Sequence, residues 1–149
     1  MPQKSMHSPI GDLTISSEDG VLVALDWGWA RDQTSDELLE RAKSQLEAYF
    51  DGKGETFDLP LSPAGTDFQQ RVWTLMRAIS YGKTMTYGEM AKALGSAARA
   101  VGMACGANPI PVIIPCHRVI ASDGSLGGYG GGLPLKKHLL ALEKNYCLF

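Results

Sequence analysis

Cys116 and His117 stand side by side towards the end of the sequence, and their types most plainly promise chemistry. A thiolate is a soft nucleophile, but an ordinary thiol, with a pKa of about 8.5, needs a base to become one. An adjacent imidazole is such a base. The bland reading is packing, because free cysteine behaves as a small hydrophobe. Apolar residues flank the pair over 110–120, which reads as a buried strand with the pair at the floor of a pocket. Neighbours on a strand point to opposite faces, so a bridging water is expected between thiol and ring. The imidazole also needs a carboxylate to orient it. Beyond residue 67 the chain offers only Glu89, Asp123 and Glu143.

Several elements must position this pair. Residues 10–27 read as a hairpin: Leu13 and Ile15 alternate with polar neighbours, Asp19-Gly20 turns, and Val21, Val23, Leu25 and Trp27 alternate again. Thr34-x-x-Glu37 has the form of a capping box, opening a helix that carries Leu38, Leu39, Ala42, Leu46, Tyr49 and Phe50 before Asp51-Gly52 stops it. Residues 55–65, with Pro60 and Pro63, read as a linker. A second box, Thr66-x-x-Gln69, opens a helix with Phe68, Val72, Leu75, Met76 and Ile79 on one stripe, ending near Tyr81-Gly82. A third, Thr86-x-x-Glu89, opens a short helix with Met90, Ala91 and Leu94 inward.

Gly95 breaks that helix and Ser96 is placed to cap the next, which continues to Gly106. Helix, glycine turn, helix is the outline of a helix-turn-helix. Its second helix is nearly bare: Ala97, Ala98, Ala100, Gly102 and Ala104 leave Arg99 as the one long cation. Either it packs tightly against its neighbours, or its small residues admit a nucleic-acid groove, with Arg99 entering where a base has left the stack. The glycine run 127–132 around Tyr129 lacks the acidic residue that a dinucleotide fingerprint requires about 20 positions on, and reads as a closing loop. Leu135, Leu139 and Leu142 mark a last helix, entered through Pro134 and ending with Glu143.

The 149 residues are 44% hydrophobic and 20% charged, which excludes a disordered or low-complexity scaffold and fits one domain or two small lobes. No apolar run approaches the roughly 18 residues that span a bilayer, and the N-terminus lacks a signal-peptide core; a cytoplasmic protein without a membrane partner is expected. Three cysteines (Cys105, Cys116, Cys147) without a C-x-x-C pair argue against a disulfide framework. The net charge of −2 conceals a split: residues 1–67 carry five basic against thirteen acidic side chains, residues 68–149 nine against three. That asymmetry points to a polyanion-binding half, or to unevenly solvated surfaces.

In combination the motifs resemble one family. Pro115-Cys116-His117-Arg118-Val119, Asn108-Pro109 upstream, and Gly131-Gly132-Leu133 and Glu143 downstream are similar to the methylated-DNA–protein-cysteine methyltransferases, also called alkylguanine-DNA alkyltransferases. Thr86-Tyr87-Gly88 and Ala98-Arg99-Ala100-Val101-Gly102 extend the likeness over residues 68–144, and residues 9–27 resemble the start of the family's N-terminal domain. The resemblance implies a repair protein that works once, taking the alkyl group of O6-methylguanine in duplex DNA onto its own cysteine, with O4-methylthymine as a second candidate. It implies Cys116 as acceptor, His117 as base through a water, Glu143 as partner of His117, Asn108 as brace of the turn, and Tyr87 as proton donor to the departing guanine. Arg99, with Ala98, Ala100 and Gly102 around it, is implied at the DNA; Val119, Tyr129, Gly130 and Cys105 are implied around the base, with the carbonyls of Cys116 and Val119 accepting its exocyclic amine. Gly130 stands where the family often has serine.

Some relatives hold zinc in the N-terminal domain; that half here has His7 and no cysteine, so neither a metal nor another cofactor is expected. The expected fold is α/β: a small N-terminal lobe of hairpin plus helix (residues 1–60), and a mainly helical, winged-helix-like domain with a helix-turn-helix (residues 61–149), acting as a monomer. Cys105 alone reads as packing and Cys147, near the C-terminus, as incidental, and His7 and His138 show no partner in sequence. Two rivals remain, a non-catalytic winged-helix regulator and a Cys-His thiol hydrolase.

Overall fold

The computed structural model describes residues 1–127 and 132–143. The chain divides into two compact units, Met1–Ala64 and Gly65–Phe149. In the first, β1 (Gln3–Met6), β2 (Leu13–Glu18) and β3 (Val21–Trp27) form an antiparallel sheet in the order β1-β2-β3, and α1 (Glu37–Phe50) follows. Leu13, Ile15, Leu22, Leu39, Ala42 and Leu46 are fully buried and make its core. The hairpin is therefore one strand short of the sheet. Gln3-Lys4-Ser5-Met6 is too polar to read as a strand, yet it pairs with β2, and the buried hydroxyls of Ser5 and Thr14 satisfy each other at 2.8 Å.

Two other sequence expectations in this unit are corrected. Thr34 does not cap α1, because its carbonyl accepts from Gln3 N and it extends the sheet edge. Asp36 caps instead, its carboxylate accepting from Leu39 N at 2.7 Å and from Ser17 Oγ. The stretch 55–65 is also more than a linker: Leu59 is buried, and Leu22 exchanges backbone bonds with Pro60 and Ser62, so this segment lies along the free edge of β3. His7, without a visible partner in sequence, stacks on Trp29 at 4.7 Å and bonds Asp12.

The second unit runs α2 (Asp67–Arg77), β4 (Met85–Thr86), α3 (Tyr87–Leu94), α4 (Ala98–Gly106), a 3-10 turn (Cys116–Arg118), β5 (Val119–Ile120) and α5 (Leu133–Leu142). The boxes at Thr66 and Thr86 both form, each threonine accepting from the amide three residues on while Gln69 or Glu89 reaches back. α2 ends at Arg77, earlier than its stripe implied, and its buried residues are Val72, Trp73 and Met76. Trp73 Nε1 donates to Ala104 O at 2.9 Å and so ties α4 to α2. Gly95 ends α3 in the left-handed region at φ 65, where a side chain is disfavoured. Ser96 does not cap α4: the N-cap is Ala97, with no side-chain bond. α3 and α4 are the helix-turn-helix.

Two features position the reactive pair. β4 and β5 form a two-residue parallel pair, Met85 opposite Val119 and Thr86 opposite Ile120, which sets the start of α3 beside the residues following Cys116. Pairs this short leave no periodic trace in sequence. Cys116 itself lies on a 3-10 turn and not on a strand. Prolines at 109, 111 and 115 remove three donors from the segment before it, so no ladder can continue there. Val112, buried and β-branched, is held at φ 74, a strain of about 1–3 kcal/mol that the surrounding bonds must hold in place.

Candidate active site

Asn108 organises the turn that presents Cys116. Its Nδ2 donates to Ile114 O at 2.8 Å and its Oδ1 accepts from Ile110 N at 2.9 Å, clamping both ends of the strained loop. Cys116 N then donates to Ile114 O at 2.8 Å. The thiol is buried, and burial pushes its pKa up; a hydrogen bond from Asn108 and the charge of Lys136 pull the other way without overcoming it. At rest Cys116 is therefore a protonated thiol, and a base must act before it can attack.

His117 is wholly buried, its Nε2 2.6 Å from Glu143 Oε2. Of the three carboxylates the sequence offered, Glu89 is consumed in its capping box and Asp123 accepts from Ser125 N, while Glu143 reaches the imidazole. Glu143 also holds Arg118: Nε donates to Oε1 at 2.8 Å, Nη2 to Oε2 at 3.1 Å, and Gly82 N adds a longer bond to Oε1. Arg118 Nη1 donates to Ile79 O. Burial prevails over the pull of the Glu143 carboxylate, with the Arg118 charge adding to it, so His117 sits below its usual pKa, a neutral ring. With Nε2 donating to Glu143, Nδ1 is the basic nitrogen.

Tyr87 opens α3 directly after its cap, close to the turn through the β4–β5 pair. Burial and the two nearby thiols raise its pKa to about 12, so it keeps its proton. Gly127 presses on the ring: a Cβ built there would lie 2.8 Å from Tyr87 Cε2, and its φ of 72 already favours glycine. Lys136 is fully buried, its Nζ donating to Val119 O at 2.6 Å and lying 5.7 Å from the centre of the Tyr87 ring. Cys105, on the inner face of α4, contacts Met76 Sδ at 3.7 Å, and burial takes its thiol to about 12. Tyr87, Cys105, Cys116, Val119 and Lys136 thus share one neighbourhood. Among the described residues no group of three or more His, Cys, Asp and Glu is placed to hold a metal.

Arg99 and Ala98 lie elsewhere, exposed at the start of α4, with Ala100 half-buried beside them. Ala98 and Arg99 are exposed, Met103 is 72% exposed, and a Cβ added at Gly102 or Gly106 would meet nothing within 4 Å. The bare residues are not demanded by packing within the protein, so the tight-packing alternative fails for this face. Tyr129, Gly130 and Cys147 fall outside the described residues.

Residues 67–145 match the model of the 6-O-methylguanine DNA methyltransferase DNA-binding domain, and residues 1–63 that family's ribonuclease-like domain. The chain belongs to the methylated-DNA–protein-cysteine methyltransferases. A methyltransferase of this name from Methanosarcina barkeri is 48% identical, with 94% of this chain and 95% of that protein covered. The crystal structure of Mycobacterium tuberculosis OGT in complex with DNA is 46% identical, with a TM-score of 0.88 over 97% of this chain and 93% of that one. An O6-methylguanine DNA methyltransferase from Methanococcus jannaschii is more distant, at 30% identity and a TM-score of 0.70.

In this methyltransferase, sequence reasoning passed over Arg118 and Lys136 as site residues. Arg118 was visible inside the Pro-Cys-His-Arg string, but nothing there says that it turns inward to the same carboxylate as His117. Lys136 left a clearer trace. The buried face of α5 is Lys136, Leu139 and Leu140, with Glu143 one turn on, the i, i+3, i+4, i+7 pattern of a core stripe. The stripe through Leu135, Leu139 and Leu142 followed apolar residues only, and so missed the two charges that lie inward.

Proposed function

We propose that the cluster around Cys116 performs direct-reversal repair, taking the methyl group of O6-methylguanine in DNA onto the Cys116 sulfur. The observation that carries this reading is a buried thiol followed by a neutral imidazole that a carboxylate, itself neutralised by Arg118, holds in one tautomer. His117 Nδ1 takes the thiol proton through a water, and the sulfur lone pair forms the S–C bond as the C–O6 bond breaks. The electron pair stays on guanine, which takes a proton from Tyr87; the phenolate recovers one from the His117 side. The product is a thioether without a leaving group, so each molecule acts once. Asn108 braces the turn. The Cys116 and Val119 carbonyls face the exocyclic amine, Val119 O keeping a second lone pair beside the one Lys136 uses. Cys105 forms a wall of the pocket. A reducing cytoplasm suits a reaction that needs a free thiol, and the protein acts as a monomer.

Incubation with methylated duplex DNA followed by intact mass and peptide mapping tests this directly. The expected result is one methyl per molecule, on Cys116. Many turnovers would favour a thiol hydrolase, no mass change a regulator, and methylation mainly on Cys105 or Cys147 would remove Cys116 from its role.

The open face of α4 supports entry of this helix into a DNA groove, with Arg99 filling the gap left by the flipped base. Arg99→Ala should then slow repair of duplex DNA by the part of the unstacking energy that Arg99 offsets, a few kcal/mol at most by the base-flipping estimate, so about 10–100-fold. A free methylated base pays no such cost, and its slow reaction with Cys116 should survive. Equal losses on both substrates in single-turnover rates would place Arg99 in the fold or the pocket instead.

A further inference from the structure

Met103 is 72% exposed on α4, and among the described residues of the second unit no other large apolar side chain is so open to water. Scattered apolar residues are ordinary on protein surfaces, so exposure alone assigns it no role. Its position does. α4 packs inward through Val101, Ala104 and Cys105. Arg99, Gly102, Met103 and Gly106 follow the i, i+3, i+4, i+7 spacing of another side of the helix, where Arg99, Met103 and Gly106 are exposed and Gly102 is half-buried. Both glycines have open space where a side chain would begin, so Arg99 and Met103 are the two long side chains on a flat face. One turn separates them, about 6 Å along the axis. Helical side chains lean towards the N-terminus, which tilts Met103 towards the turn that carries Arg99. Alanine, the better helix former, would serve the helix at least as well. The charge around this face suits a polyanion, because residues 68–149 carry nine basic against three acidic side chains.

We propose that Met103 is an apolar wedge that enters the DNA groove beside Arg99 and holds the duplex open at the flipped base. This rests on the reading that α4 enters the groove with Arg99 in the vacated stack. The two side chains divide the work by chemistry. A base that leaves the stack uncovers the apolar faces of its neighbours and loosens the steps around it. Arg99 fills the gap with a planar, charged group. A thioether side chain, unbranched and polarisable, fits the irregular apolar surface beside it. Methionine is among the wedges that groove-binding proteins press between base steps, where they unstack and kink the duplex. Successive base pairs lie about 3.4 Å apart, so about 6 Å along α4 places Met103 within roughly two steps of the gap. Gly102 and Gly106 flank it and let the backbone come close enough for the side chain to reach the bases. Met103 carries no charge, so its contribution goes to the broken stack and not to the phosphates.

Met103→Ala removes the wedge and leaves a better helix former, so the variant should melt at or above the wild-type temperature. Its single-turnover repair of methylated duplex at limiting DNA should fall about tenfold, the scale set by one apolar side chain withdrawn from water. Reaction with free O6-methylguanine base should be unchanged, because nothing there has to be unstacked. Met103→Leu should keep most of the duplex rate. Met103→Gln, of similar length but polar, should lose as much as alanine, whereas a mere spacer would be replaced by glutamine without loss. The salt dependence of duplex binding should keep its slope, because no phosphate contact is removed. Wild-type duplex rates in Met103→Ala, or equal losses on duplex and free base, would overturn the proposal. So would a wild-type duplex rate joined to altered self-association in DNA-free solution, which would assign this face to a second copy of the chain. Arg99→Ala, measured alongside, separates two failures. If it slows duplex repair and Met103→Ala does not, the wedge alone fails; if neither does, the entry of α4 into the groove fails with it.

Discussion

Glu143→Gln is expected to slow methyl transfer by about 10²–10⁴-fold, the contribution of a positioned general base. The reason lies in how fully the carboxylate is used. Its two oxygens accept from His117, from two nitrogens of Arg118 and from Gly82, so each of these described partners is a donor. A carboxylate has acceptor sites for all of them, whereas a glutamine must turn its NH2 towards one pair. Turned towards Arg118 and Gly82, it loses those bonds and leaves the guanidinium charge unbalanced. Turned towards His117, it selects the tautomer with the proton on Nδ1, and that nitrogen can no longer take the thiol proton. Single-turnover rates on methylated duplex check this, with DNA affinity as the measure that the variant is folded. Wild-type rates would remove the His117–Glu143 pair from the mechanism.

Arg118→Met is the second large change, and it acts first on stability. Removing one partner of a buried ion pair leaves the other uncompensated, at a cost of about 3–5 kcal/mol. Arg118 and Glu143 are both buried, with side-chain exposures of 8% and 0%. The variant should also weaken the pH dependence contributed by His117. In the wild type the folded ring lies below its ordinary value, so as pH falls through the range of unfolded histidine, near 6.5, the unfolded chain gains the proton and stability is lost. Without the Arg118 charge the Glu143 carboxylate pulls the folded ring up towards that value against burial, so less stability is lost as pH falls. Urea unfolding at a series of pH values measures both effects; an unchanged midpoint at neutral pH, or an unchanged slope with pH, would show that Arg118 does not govern this pair.

The helices of the second unit were legible because their ends are written locally. Thr66 with Gln69, and Thr86 with Glu89, bond reciprocally within four residues, and Gly95 marks its left-handed turn. The short pairings were not. β1 is polar, and β4–β5 has two residues per strand, so both exist through partners distant in the chain. Cys116 was placed on a strand because the flanking apolar residues suggested one, whereas prolines and the bonds of Asn108 force a turn. The likeness of the motifs to a family pointed to the Glu143–His117 contact, and the choice among three carboxylates then follows from what the other two already bind. Arg118 and Lys136 escaped because charged residues are assigned to the surface unless their positions are counted together with the leucines.

The bare outer face of α4 carries a cost that belongs to dynamics. The helix has nine residues, begins without a side-chain cap, and includes Gly102 and Gly106, and a glycine within a helix is less favourable than alanine by about 0.8–1.0 kcal/mol. On its inner face it is fastened through Val101, Ala104 and Cys105, and by the Trp73 bond to Ala104 O. The amides of its first turn should therefore exchange with solvent faster than those of α2, which has a full capping box at its start. A groove pressed against that face would supply what the sequence withholds. If α4 enters the groove as proposed, its local opening free energy depends on whether nucleic acid is present, and its hydrogen-exchange protection would report occupancy of the groove independently of any chemistry at Cys116.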